Sequence, residues 1–229
     1  MCRDCGRMRA AASLSGGAGA ARKVVKRLTL AAMPRWTWFA PGLLLCLAAL
    51  SARTQPPEAP RVVIETEAGS IEVVLDAAAA PVTTANFLRY VGDGFYDGAS
   101  FYRTVTADNQ PDDAVRIAVI QGGVDGTRPA RPPIALEATS ATGLRHRDGT
   151  ISMARNGPDT ATSEFFICVG DQPELDQAGR RNPDGRGFAA FGRVVAGMEV
   201  VRAIHGRPAA SQRLAPPVRI LSMRVVPGR

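Results

Sequence analysis

The sequence predicts a mainly β fold: a closed barrel or sandwich of short strands with two helices. Three observations carry this. Two β-rich runs, Arg61 to Thr66 and Ile71 to Leu75, meet through Ala68-Gly69 as a hairpin. From about Phe95 to Phe191, short apolar runs are broken repeatedly by Gly, Pro, Asp and Asn, the punctuation of successive strands. Two stretches carry helix punctuation instead.

In the second run Ile71, Val73 and Leu75 share one face, as a half-buried strand requires. Pro81 to Gly92 then reads as a helix, with Pro at its first position and Gly at its end. Its predicted apolar stripe is Ala85, Leu88 and Val91. Gly197 to Gly206 reads as the second helix, and Pro217 to Val226 as a last strand. No internal repeat is visible.

Ahead of this body, residues 36–50 are uncharged but shorter than the ~18–20 residues that span a bilayer. Arg22, Lys23, Lys26, Arg27 and Arg35 precede them, and Ser51-Ala52 follow. Basic, then apolar, then small is the layout of a secretory signal peptide. The expected organisation is a leader over 1–52, a Pro-rich linker over 53–60 and one domain over 61–229. Cleavage is expected after Ala52, with Ser51 as the alternative. Met33 offers a tidier start, with Arg35 as the basic flank. An uncleaved membrane anchor is the rival reading. Leu43-Leu44-Leu45-Cys46 resembles a lipoprotein box but lacks the small residue before Cys46.

The +7 net charge is confined to the leader, where eight basic residues face one acid, Asp4. The body holds 20 Arg against 20 Asp and Glu, so it carries no global field to attract nucleic acid. Of four cysteines only Cys168 lies in the body, so no intrachain disulfide forms there. Following Phe165-Phe166-Ile167, it reads as a small buried hydrophobe. Cys2-x-x-Cys5 lacks a second ligand pair for zinc.

Several motifs fail. His146-Arg147-Asp148 mimics a kinase catalytic loop, but no Gly-rich phosphate loop, body lysine or Asp-Phe-Gly accompanies it. His146 and His205 sit on unlike elements and read as solvated or capping rather than as a metal pair. Asp108, Asp112 and Asp113 read as a polar turn rather than a calcium loop.

One ordered set does carry chemistry: Phe95-Tyr96-Asp97-Gly98, Phe101-Tyr102-Arg103, Val119-Ile120-Gln121-Gly122-Gly123, Gly149 to Arg155, Ser163 to Cys168, Leu175-Asp176 and Phe191 to Val194. It resembles the cyclophilin family of peptidyl-prolyl cis–trans isomerases over Arg61 to Val226, and its exported bacterial branch in the Gly-rich approach Asp184 to Phe191. The resemblance implies a closed eight-stranded antiparallel barrel with a helix at each end. It implies isomerisation of Xaa–Pro bonds in unfolded or extended polypeptides, serving the folding of exported proteins, with no cofactor and no metal. The implied protein is a periplasmic or secreted monomer that binds no nucleic acid and keeps no stable membrane insertion after cleavage.

The resemblance also assigns roles. Arg103 matches the catalytic arginine and Gln121 the glutamine that positions it. Phe166 matches the floor of a proline socket, with Val119 and Leu175 as walls. Ala154 lines the same strip. Arg155 matches a position whose backbone pairs with the substrate chain, its side chain mattering less. Three features depart from the family. Arg103 and Gln121 stand 18 residues apart where about eight is usual, so Thr106 to Arg116 reads as an inserted loop. Ala118 replaces a large aromatic and thins one wall. Glu174 stands where many relatives carry a tryptophan that donates to the inhibitor cyclosporin, and Phe188 stands for a histidine, keeping an apolar wall. A rival from another class is a proline-peptide binding module with this fold and little activity, favoured by the thinner pocket.

Overall fold

The computed structural model describes residues 58–227. The expected leader and most of the linker lie outside the described residues. The hairpin forms as predicted from β1 (Arg61–Thr66) and β2 (Gly69–Leu75). Then follow α1 (Pro81–Gly92), β3 (Ser100–Val105), β4 (Val119–Gly123), α2 (Thr139–Thr142), β5 (Thr150–Met153) and β6 (Phe165–Cys168). The chain ends with β7 (Ala189–Ala196), α3 (Met198–His205), β8 (Ala209–Ala210) and β9 (Arg213–Val226).

All strand pairings are antiparallel. The order β1-β2-β7-β5-β6-β4-β3-β9 returns to β1, so eight strands close a barrel and leave it no free edge. The two-residue β8 pairs only with the start of β9. Strand period 2 decides what fills the interior. Val62 and Ile64 of β1 and Ile71, Val73 and Leu75 of β2 point inward and are at most 1% exposed.

α1 starts and stops where the sequence predicts, but it buries a different face. Thr83, Thr84, Asn86, Phe87, Tyr90 and Val91 are buried, whereas Ala85 is exposed and Leu88 only half-buried. The cause is aromatic volume. Phe87 meets Tyr96, Phe165 and Phe191 at ring-centroid distances of 5.5, 5.6 and 5.2 Å, and the helix rolls to seat it. Ala80 offers no side-chain cap. Instead the Glu137 carboxylate accepts from the Val82 and Thr83 amides at 3.0 and 2.7 Å, placing a negative charge at the helix N-terminus. α3 covers the core with Val201 and Ile204. The one-turn α2 is an addition to the two predicted helices, and β9 begins four residues before the predicted Pro217.

β6 explains how one barrel serves a site on its outer face. Phe165 and Ile167 enter the core, whereas Phe166 and Cys168 face outward into a second apolar cluster with Val105, Ile117, Val119 and Leu175. The continuous apolar run Phe165 to Cys168 is thus buried on both faces. Cys168 is wholly buried, as expected, and burial pushes its thiol well up, which keeps it inert. No described helix is long and apolar enough to cross a membrane.

Candidate active site

A bulge sets the register of the site. β3 shifts between Phe101 and Arg103, so that Arg103 stands directly opposite Gln121 on β4. Gln121 in turn stands opposite Phe166 on β6, and Phe166 opposite Ser152 on β5. Arg103, Gln121 and Phe166 therefore form a row across three strands. At the usual strand spacing, the backbone of Arg103 lies about 10 Å from that of Phe166.

The guanidinium of Arg103 is held from two sides. Nη1 donates to Gln121 Oε1 at 2.8 Å, while Nε and Nη2 donate to Gln212 Oε1 at 3.0 and 2.6 Å. A guanidinium has five N–H groups. Three are engaged, so one on Nη1 and one on Nη2 remain for a ligand among the described residues. Burial and the nearby Arg181 lower the Arg103 pKa, but an arginine stays cationic in proteins.

Gln212 escaped the sequence reading. It lies 109 residues from Arg103, in the turn between β8 and β9, where Ser211 and Gln212 both take positive φ (47° and 71°). Its Nε2 donates to the Asn109 carbonyl at 3.1 Å, tying the turn to the inserted loop. That loop is internally braced. Buried Gln110 donates to the carbonyls of Thr106 and Ile117, each at 2.7 Å. Asp113 pairs with Arg181 at 2.8 Å.

Phe166 is 4% exposed and packs with Val119, Leu175 and Ile117, with Ala154 and Phe188 at the margin. Phe188 meets it edge-on at 5.2 Å. Ala118 is not in this cluster. Ile117, two residues before β4, is in it and packs beside Val119 and Phe166. Glu174 also stays out of the cluster. Its carboxylate accepts from the Arg180 amide at 2.8 Å and from Arg180 Nη2 at 2.9 Å, and Arg180 holds it below the usual range.

Arg155 does more than its backbone. Its side chain is 2% exposed, pairs with both oxygens of Asp184 (2.7 and 2.9 Å) and donates from Nε to the Gly187 carbonyl at 2.8 Å. It also lies 5.2 Å over the Phe188 ring. The Arg155 bonds pull Asp184 down to about 2. One buried guanidinium thus holds the segment that carries the Phe188 wall. Gly187 has φ +64°, and a Cβ there would strike the Asp176 backbone.

His146 is neither solvated nor capping. It is 1% exposed and stacks on Phe166 at 6.0 Å. Nδ1 lies 2.8 Å from Asp176 Oδ1 and Nε2 lies 3.0 Å from Ser152 Oγ. Burial raises Asp176, but the bonds from His146 outweigh it and leave the carboxyl low. An ionised Asp176 accepts from Nδ1–H, and in the neutral ring Nε2 is then the acceptor that faces Ser152. Ser, His and Asp in line resemble a hydrolytic triad, but Ser152 is wholly buried and no substrate carbonyl reaches it. The trio braces the pocket floor from below. Its partners are 30 and 6 residues away in sequence, with no local signal. A cavity of about 540 Å³, lined by Leu75, Leu144 and Arg145 among others, contains none of these groups.

A half-buried cation beside an apolar socket suits binding and twisting an amide. Comparison with known proteins agrees. The family described as cyclophilin type peptidyl-prolyl cis-trans isomerase/CLD matches residues 61–225. A peptidyl-prolyl cis-trans isomerase A of Dickeya dadantii is 40% identical over 162 residues, 69% of this chain and 77% of that one. A peptidyl-prolyl cis-trans isomerase of Streptomyces antibioticus is 40% identical over 157 residues, 66% of this chain and 86% of that one. The crystal structure of a Cryptosporidium parvum cyclophilin type isomerase aligns with TM-score 0.62 at 22% identity, covering 75% of this chain and 100% of that one. The chain belongs to the cyclophilin-type peptidyl-prolyl cis–trans isomerases.

Proposed function

We propose that this isomerase is exported and turns Xaa–Pro bonds in unfolded or extended polypeptides outside the cytoplasm, with Arg103 as its catalytic group. The observation that carries the catalytic part is the guanidinium clamped by Gln121 and Gln212, with two N–H groups left free beside the Phe166 socket.

An Xaa–Pro amide rotates slowly because conjugation sets a barrier of ~18–20 kcal/mol. Uncatalysed exchange takes ~10–100 s. Turnover near ~10³ s⁻¹ needs four to five decades, or roughly 6–7 kcal/mol. No bond breaks, so the task is to bind the twisted amide better than the planar one. In the twisted state the prolyl nitrogen regains a lone pair. A donor held at that position gains a hydrogen bond only there. Arg103 presents one free N–H for this and a second for a neighbouring carbonyl. Phe166, Val119, Ile117 and Leu175 grip the ring while the preceding carbonyl turns, and Phe188 closes one side. Gln121 and Gln212 remove the rotamer freedom that would otherwise blur the donor's aim. A protease-coupled assay on an Xaa-Pro peptide tests the activity, and absence of acceleration would reject the proposal.

Export rests on the basic, apolar, small order of residues 22–52. N-terminal sequencing of the mature protein is expected to read from near Arg53, and the protein to fractionate outside the cytoplasm as a monomer. A full-length cytoplasmic product would contradict this.

Weak inhibition by cyclosporin is expected. Glu174 is an acceptor already engaged by Arg180, and it replaces an aromatic donor. Catalysis depends on Phe166 and Val119 and is spared. Titrating activity with the drug, for wild type and Glu174→Trp, checks this: the variant should bind more tightly. Equal inhibition of the two would place Glu174 outside the inhibitor's reach.

A further inference from the structure

Tyr102 touches the Arg103–Gln121 pair through Gln121, and Glu164 touches Tyr102. Tyr102 is the bulge residue of β3 and is 8% exposed. Gln121 Nε2 donates to its phenol oxygen at 2.6 Å. The phenol then donates to Glu164 Oε2 at 2.7 Å, and Glu164 Oε1 accepts from the Val124 amide at 3.0 Å. Donation therefore runs one way from Arg103 through Gln121 and Tyr102 to a carboxylate that only accepts. Space for that carboxylate depends on Gly123, at φ +151°, where a Cβ would collide with it.

The direction of donation matters because a glutamine amide can sit either way round. One way offers Oε1 to Arg103. The other sets an NH₂ group against the guanidinium, donor against donor. The single phenol proton decides between them. While Glu164 takes that proton, the phenol oxygen must accept from Nε2, so Oε1 faces Arg103. Without an acceptor at Glu164, the phenol proton turns to Gln121 and demands its oxygen.

We infer that Glu164 is a positioning residue for the isomerase reaction: through Tyr102 it sets the orientation of the Gln121 amide and thereby the aim of Arg103. The inference rests on Arg103 being the catalytic donor. It adds a pH dependence. Burial raises the Glu164 carboxyl, and the nearby Asp125 raises it further; bonds from Tyr102 and from the Val124 and Asp125 amides pull it down, and the net shift is upward. Tyr102 faces it from β3, Asp125 from the turn after β4, and Tyr96 from the segment after α1. Arg213 of β9 pairs with Asp125 and lies over the Tyr102 ring at 5.7 Å. Arg155 lines the same groove, but its guanidinium is committed to Asp184. Protonated Glu164 becomes a donor, so activity should fall on the acid side, beginning above the ordinary glutamate range.

The test compares kcat and KM across pH for the mature chain, with a protease-free isomerisation assay on a proline peptide. The proteins are wild type, Glu164→Gln, Tyr102→Phe, their double variant and Arg103→Ala. Wild type should show a one-proton acid limb. Glu164→Gln and Tyr102→Phe should each lower kcat roughly tenfold to hundredfold near neutrality, leave KM nearly unchanged and lose the limb. The double variant should be no worse than either single one, because both break the same chain. Should Glu164→Gln fail to fold, Tyr102→Phe decides alone, since it removes one oxygen atom. Wild-type rate and an intact acid limb in these variants, alongside an inactive Arg103→Ala, would overturn the inference while leaving Arg103 in place. A fully active Arg103→Ala would overturn the reading beneath it.

Discussion

Arg103→Ala is expected to lower kcat by 10²–10³-fold with a modest change in KM. Loss of one preorganised donor to a developing lone pair typically costs ~3–4 kcal/mol of transition-state stabilisation. The planar ground state does not need that donor, so peptide binding through the Phe166 socket should survive. The fold should survive too. Arg103 is only half-buried, and its removal leaves two amide oxygens, on Gln121 and Gln212, that water can reach. A stability loss of about 1–2 kcal/mol is the expected scale. Arg103→Lys should recover little, because a point charge cannot satisfy two acceptors and still present two donors in a plane. Peptide isomerisation with circular dichroism on the same samples checks this, and near-wild-type turnover would remove Arg103 from the reaction.

Phe166→Ala is expected to damage both stability and binding. The ring is 4% exposed, carries the stacked His146 beneath it and receives the edge of Phe188. Phe→Ala in a packed site costs ~3–5 kcal/mol. The lower end fits here because the socket opens to solvent and water can enter. That is a large part of the ~5–15 kcal/mol that holds a typical domain together. KM for a proline peptide should rise at the same time, since the ring grips the substrate. Phe166→Leu should retain more of both. Urea unfolding and substrate saturation curves on the two variants provide the check. An unchanged midpoint with unchanged KM would show that the ring neither floors the socket nor braces the cluster.

Much of the architecture was legible because its causes are local. Pro81 and Gly92 bracket α1 through their own backbone chemistry, and the β1–β2 hairpin follows from β-rich runs around Ala68-Gly69. The order of short motifs from Phe95 to Val194 sufficed to point to the family. The row Arg103, Gln121 and Phe166 was named from those motifs, and β-pairing brings the three together. The buried face of α1 is not legible in its own sequence, because its rotation is decided by Phe165, Phe191 and Tyr96, which belong to other elements.

The sequence by itself determined the class of fold, the ends of α1 and the family, and it singled out the cation and the ring proposed here for the site. Only the tertiary structure decided which neighbours make that cation useful. Gln212 reaches Arg103 across 109 residues, Glu164 reaches Tyr102 across 62, and Asp176 reaches His146 across 30. Each is a polar side chain in a turn or at a strand end, where sequence pattern is silent. Tertiary packing puts Ile117 rather than Ala118 in the apolar cluster, and a bulge at Tyr102 turned Arg103 toward Gln121. Propensity and hydrophobic period act over a few residues. Hydrogen-bond partners of half-buried groups are chosen by which strands lie side by side, and that follows only once the barrel closes.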